Sequence, residues 1–297
     1  MSSRFDSIFR PGLFDEQVIL VTGGGTGLGR CTAHELASLG ATVVIGARRQ
    51  EPLEQTAREI AEAGGRCDPV QLDVRDEDSV EAAIAGLVER HGRLDGVVNN
   101  AGGQFVALAA DMSARAWRSV IDLNLTGTFL VSKAAYKHAM KAEGGAIVNM
   151  LADFWNGYPG WAHGMAARAG IENLSRTLAL EWSGSGVRVN CVAPGTVLSG
   201  GLLTYPEAVQ KMTVKGIGGT PLSRLGTESE ISAAITFLLS PAAAYTTGDT
   251  IKVDGGSNLF QAAHLIPLGN HRRSKAWNGF HLRPDVKGTP YEDVAGE

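Results

Sequence analysis

Two groups of residues in this sequence have types and spacings that suggest chemistry: phosphate binders and hydrogen-bond donors. The run Thr22-Gly23-Gly24-Gly25-Thr26-Gly27-Leu28-Gly29 follows four apolar residues, Val18 to Val21, and precedes an amphipathic run, Arg30 to Leu39. Strand, glycine turn and helix in that order make a phosphate cradle. Glycines let backbone N–H groups approach a pyrophosphate, and the helix N-terminus adds a favourable partial charge. The glycines are spaced Gly23-x-x-x-Gly27-x-Gly29 and not G-x-G-x-x-G, so it is their place between strand and helix that argues for a nucleotide. Arg48 follows a second apolar run. An acid at that point suits ribose hydroxyls, whereas an arginine suits a 2′-phosphate, so Arg48 favours NADP(H) over NAD; the alternative is a solvated turn residue.

The donors lie further along. Asn124 is polar within an otherwise apolar helical run and either bridges helix backbone or faces a site. Arg168 sits on an alanine-rich helical stretch. Its guanidinium is either a surface cation or a group that positions a ligand, and it does not relay a proton. Tyr158, Asp153 and His163 cluster around a loop. Tyr158 is the best candidate donor, being neutral at pH 7 and long, with packing on Pro159 or Trp161 as the alternative. Asp153 also suits a turn start and His163 a helix cap.

Alternating elements must position these groups. Apolar strands are expected at Val18–Val21, 41–46, 67–72, 94–98, 146–150, 187–192 and 250–253. Helices are expected between them, including a long one over 114–140 and another over 163–182. Thr227-x-x-Glu230 reads as a capping box. The fold class is α/β: one Rossmann-like, doubly wound parallel sheet of about seven strands with helices on both faces. Ligands of such sheets bind at the carboxyl ends of the strands. Residues 1–12 read as an irregular arm, 13–256 as the dinucleotide-binding catalytic domain and 257–297 as a C-terminal extension, with a loose tail favoured over an arm covering a neighbour or the substrate mouth. Residues 200–221 are glycine-rich and read as a mobile lid.

The 297 residues are 44% hydrophobic and 20% charged, with a net charge of -4, which gives no sign of a nucleic-acid partner. Cys31, Cys67 and Cys191 lack metal-ligand spacing, and an odd number argues against a disulfide framework. With no long apolar segment at the N-terminus, neither a signal peptide nor a membrane span is expected, which points to the cytoplasm.

Together these motifs resemble the short-chain dehydrogenase/reductase family over residues 13–256. Thr22 to Gly29 looks like the family's cofactor loop, and Asn99-Asn100-Ala101-Gly102 like its strand-four motif. Asn124 looks like its active-site asparagine, Pro194-Gly195 like its nicotinamide-side motif, and Val253-Asp254-Gly255-Gly256 like its last strand and turn. The resemblance implies cofactor contacts at Gly23, Thr26, Gly27, Leu28, Gly29, Arg48, Asp73, Val74, Asn99, Ala101, Arg168, Pro194, Gly195 and Thr196. It places Asp73 at the adenine edge, with a strand-end cap as the equal alternative, Arg168 at the nicotinamide ribose and Asn124 beside the reacting carbonyl. The catalytic segment departs from the family pattern. Gly164 stands where the family has tyrosine, Arg168 where it has lysine, and Met150-Leu151-Ala152 lacks the usual serine.

Asn99 to Phe105, Asn124 to Phe129 and Ala166 to Gly170 are most similar to the trans-2-enoyl-CoA and 2,4-dienoyl-CoA reductase branch, which also departs at the tyrosine. That branch implies NADPH-dependent reduction of a 2-enoyl-CoA or 2,4-dienoyl-CoA thioester, with Asn124, Tyr158 and Arg168 in catalysis, and a homodimer or homotetramer. Carbonyl or alcohol redox chemistry and a silent NADP(H)-binding protein are the alternatives.

Overall fold

The computed structural model describes residues 4–217, 220–259 and 275–292. The core strands are β1 (Val18–Thr22), β2 (Thr42–Ala47), β3 (Arg66–Gln71), β4 (Gly96–Asn99), β5 (Gly145–Met150) and β6 (Val187–Pro194). After a two-residue pair, β7 (Val197–Leu198) and β8 (Gly226–Thr227), β9 (Thr250–Val253) completes the main sheet. Seven strands run parallel in the order β3-β2-β1-β4-β5-β6-β9. The order reverses between β1 and β4, so a crevice opens at their carboxyl ends.

The helices between the strands are α1 (Gly27–Ser38), α2 (Gln50–Glu62), α3 (Glu77–His91), α4 (Ala114–Ile121), α5 (Gly127–Ala135), the short α6 (Lys141–Glu143), α7 (Ala162–Trp182), α8 (Glu207–Ile217) and α9 (Glu228–Leu239). Alternate strand residues serve opposite faces. Ile19, Val21, Val43 and Ile45 pack with α1, α2 and α9, while Val18, Leu20, Val44 and Val97 pack with α3, α5 and α7. Strands buried on both sides need apolar residues throughout, which is why they read as continuous runs.

Three features differ from the expectations. The long helix over 114–140 is widened by π turns at Asp122–Thr126 and Tyr136–Met140. The stretch read as a lid contains α8, although 218 and 219 lie outside the described residues. In the C-terminal extension, 260–274 and 293–297 also lie outside them, but 275–292 packs back on the body where a loose tail was favoured. Phe280 is buried against Phe5 and Cys31, and Tyr291 against Leu225 with Leu198, Leu202, Leu203 and Val214 around it. Isolated aromatics carry no periodic signal, so this docking left no trace in the sequence. Among the described residues no helix is long and apolar enough to cross a membrane.

Candidate active site

The glycine loop joins β1 to α1 at the sheet's switch point. Gly23 has φ +67°, and a Cβ there would lie 2.9 Å from Asn100 Nδ2 and 3.1 Å from Ala101 Cα. A Cβ on Gly29 would collide with the Gly23 carbonyl oxygen. These two glycines allow the loop to close on the end of β4. Asn100 pins that closure by donating from Nδ2 to the Thr22 carbonyl at 2.9 Å. The Asn100 and Ala101 backbone N–H groups donate to Thr22 Oγ1 at 3.0 and 2.9 Å. Gly27 has φ +54°, and a Cβ there would meet only Glu228 Oε1, at 3.9 Å. Thr26, at the N-cap of α1, makes no side-chain cap bond, and the first turn of α1 has no acidic residue. Open space above Gly27 and uncapped N–H groups at a helix N-terminus fit a dinucleotide pyrophosphate. Glu228 itself is buried, which pushes its carboxyl up to about 7.

Arg48 is exposed directly after β2, and its charge reaches Asp73 after β3. Hydrogen bonds from Arg75, at 2.9 and 2.5 Å, hold the Asp73 carboxyl below its ordinary range. Val74 is buried where Gly127 of α5 approaches it. At the end of β6, the Gly195 N–H donates to the Val253 carbonyl at 3.0 Å. A Cβ on Gly195 would sit 2.7 Å from Asp254 Cα, so only glycine fits. The Pro194 carbonyl accepts from the Asp153 N–H at 3.1 Å, and the Thr196 carbonyl from the Gly226 N–H at 2.9 Å.

A second cluster lies where α7 meets the loop after β4. Arg168 Nη1 donates to the Met150 carbonyl at 2.5 Å. Burial pulls the guanidinium down to about 10, and the hydroxyl of Tyr205 lies close enough to act on it. A Cβ on Gly102 would stand 2.7 Å from Asn124 Oδ1 and 2.8 Å from Arg168 Nη2, so Gly102 lets both side chains close over it. The Asn124 amide is fully engaged. Nδ2 donates to the carbonyls of Gly103 at 2.9 Å and Val120 at 2.7 Å, and Oδ1 accepts from the Gly103 N–H at 3.3 Å. The π turn at Asp122–Thr126 carries this side chain. Gly164, four residues before Arg168, offers no side chain, and a Cβ there would collide with Gln104 Oε1. The Gln104 amide also lies close enough to the Tyr205 phenol to act on it.

Comparison with known proteins follows this geometry. A family described as enoyl-(acyl carrier protein) reductase matches residues 23–258. The chain belongs to the short-chain dehydrogenase/reductase family. It is 39% identical over 249 residues to a probable 2,4-dienoyl-CoA reductase of Bacillus subtilis, covering 82% of this chain and 98% of that one. It is 36% identical over 280 residues to a peroxisomal 2,4-dienoyl-CoA reductase of Danio rerio, covering 92% and 93%. Among solved structures, a citronellol catabolism dehydrogenase of Pseudomonas aeruginosa is 48% identical with a TM-score of 0.77, covering 86% of this chain and 100% of that one. An actinorhodin polyketide ketoreductase solved with NADPH is 30% identical with a TM-score of 0.77, covering 84% and 100%. As a short-chain dehydrogenase/reductase with such relatives, the protein is an oxidoreductase of the kind that works with a nicotinamide cofactor.

Among the residues the family resemblance brought forward, Asn124, Asn99 and Tyr158 have surroundings that the sequence did not specify. Asn124, read as either bridging helix backbone or facing a site, spends both amide hydrogens on backbone and braces the Gly103 segment. Asn99 was expected at the cofactor, but its side chain is buried, donating to Ser132 Oγ at 2.9 Å and Asn149 Oδ1 at 2.8 Å. It ties β4 to β5 and α5, and its neighbour Asn100 holds the loop. Tyr158 is 46% exposed, near the charge of Asp153, and its hydroxyl makes no hydrogen bond among the described residues. Asp153 accepts from Ser257 Oγ at 2.6 Å. His163 is wholly buried against the Phe105 ring, 4.5 Å between centroids. Gln104 and Tyr205 were not foreseen. Their only advance signal was the empty Gly164 position, which leaves space for a group from elsewhere.

Proposed function

We propose that the protein uses NADPH to reduce the conjugated double bond of a 2-enoyl-CoA or 2,4-dienoyl-CoA thioester. The observation that carries this is the side-chain space of Gly164 filled by an amide in place of an acid. Carbonyl reduction develops an alkoxide and needs a matched acid at that oxygen. Neither α7 nor the Leu151-Ala152 segment supplies one. Reduction of an unsaturated thioester spreads charge into an enolate, which needs donors at oxygen, and carbon can be protonated later from water. Alignment with 2,4-dienoyl-CoA reductases over most of the chain supports the same reading.

The cofactor supplies the hydride. Gly23, Gly27 and Gly29 admit its pyrophosphate, exposed Arg48 meets its 2′-phosphate, and Arg168 lines the nicotinamide end as a fixed cation. A second reading is dehydrogenation of an alcohol, favoured by the 48% identity to a citronellol catabolism dehydrogenase. One panel separates the two: NADPH oxidation with dienoyl-, enoyl- and 3-ketoacyl-CoA, and NADP+ reduction with citronellol. Turnover of the dienoyl or enoyl thioester, with little on the ketoacyl thioester or alcohol, is expected. Efficient alcohol turnover with no thioester activity overturns the reductase reading.

A further inference from the structure

The side-chain space missing from α7 is taken by Gln104, while Tyr205, from a distant segment, packs on Trp161 at the start of the same helix. Gln104, from the loop after β4, turns Oε1 toward Gly164. The amide nitrogen is then the end left facing Tyr205, whose phenol lies close enough to feel it. Tyr205 lies between β7 and α8, half-buried, with Trp161 meeting its ring edge-on at 5.5 Å and 85°. Its main chain is fixed as well, since Gln210 Nε2 donates to the carbonyls of Leu203 at 3.2 Å and Tyr205 at 2.8 Å. Arg168, on the same face of α7 as Gly164, acts on the phenol by its charge. A phenol that stays protonated and a fixed cation are thereby brought to the same end of α7 from different segments.

We propose that Tyr205 is the catalytic hydroxyl, donating to the substrate oxygen while Gln104 and Arg168 position it. This rests on the reductase reading for its substrate. Hydride adds to the terminal carbon of the conjugated system, and the displaced π electrons end on the thioester oxygen as an enolate. The Tyr205 O–H donates a hydrogen bond to that oxygen. A proton from water then adds to carbon, and the electron pair returns to re-form the carbonyl. The substrate gains one hydride and one proton, the cofactor is oxidised by two electrons, and the phenol ends as it began. Burial raises the phenol and so keeps it protonated at neutral pH, while Gln104 and Arg168 act against that rise.

The test compares the parent protein with Tyr205→Phe on whichever substrate of the panel the parent turns over. Loss of one oxyanion donor lowers kcat by about a hundredfold or more. NADPH affinity, read by fluorescence, is expected to stay within about twofold, because the ring is not at the phosphate cradle. A kcat within about threefold of the parent overturns the proposal. Should the parent turn over no thioester and only an alcohol, the reductase reading falls and the same variant still decides the role of Tyr205. With no turnover at all, the ultraviolet titration of the phenol, taken as parent minus Tyr205→Phe, remains. Arg168→Met and Gln104→Leu are each expected to move that titration to higher pH. If neither folded variant moves it, Tyr205 is not in this site.

Discussion

Glu35 offers a direct measure of how strongly this interior resists a charge. It lies on the inner side of α1 with no exposed surface. Its carboxylate accepts from Ser7 Oγ at 2.8 Å and from Ser232 Oγ of α9. Burial outweighs these bonds and raises the carboxyl from 4.5 to about 7. A raised folded-state value means that the native protein holds a proton which the unfolded chain releases at lower pH. The stability this group contributes is complete below about 4.5 and is lost as pH rises through about 7. Between pH 5 and pH 8 the linkage between those two values amounts to about 2.5 kcal/mol. Glu35→Gln keeps an acceptor for the serines and does not ionise. The variant should therefore gain about 2.5 kcal/mol over the parent when the pH is moved from 5 to 8. Urea unfolding of both proteins at fixed concentration reads this difference. Glu228, also raised to about 7, is common to both proteins and cancels. A variant-minus-parent difference unchanged between the two pH values, within about 0.5 kcal/mol, refutes the assignment of a costly buried charge.

The other predictions concern the site. Arg48→Asp should reverse the cofactor preference; because Arg48 is exposed, the lost contact is about 1.5 kcal/mol, or tenfold in affinity, and equal binding of NADPH and NADH by the parent excludes the assignment. Asn124→Ala strips partners from the Gly103 and Val120 backbone and should cost about 2–3 kcal/mol of stability in urea unfolding, whereas an unchanged midpoint means these bonds hold nothing. Tyr291→Ala empties the contact between the C-terminal segment and the 202–214 region, at a cost of about 3–5 kcal/mol to local packing. It should speed proteolysis near α8 and raise KM while leaving NADPH affinity alone; unchanged cleavage and KM would show that the segment does not hold Tyr205 in place.

Much of the scaffold was legible because its signals are local. Continuous apolar runs marked the buried strands, and β9 falls at Thr250–Val253 as read. Thr227 and Glu230 form the reciprocal cap their spacing announced, with Glu230 N donating to Thr227 Oγ1 at 3.2 Å and Thr227 N to Glu230 Oε2 at 2.9 Å. The glycine loop was legible too, because a backbone that closes on β4 tolerates no Cβ at Gly23 or Gly29.

The occupants of the crevice were not legible. Asn124 stood out as polar in an apolar run, but whether its amide met backbone or ligand depended on the path of the Gly103 segment. Gln104 reaches Gly164 and Tyr205 reaches Trp161 across stretches of chain whose course no periodicity encodes, and Phe280 and Tyr291 find their pockets in the same way. The sequence by itself determined the order of strands and helices, the glycine turn after β1 and the vacancy at Gly164, since each is set by neighbours within a few residues. Only the tertiary structure decided which side chains fill that vacancy, because loops and aromatic anchors are placed by contacts between residues far apart in the chain.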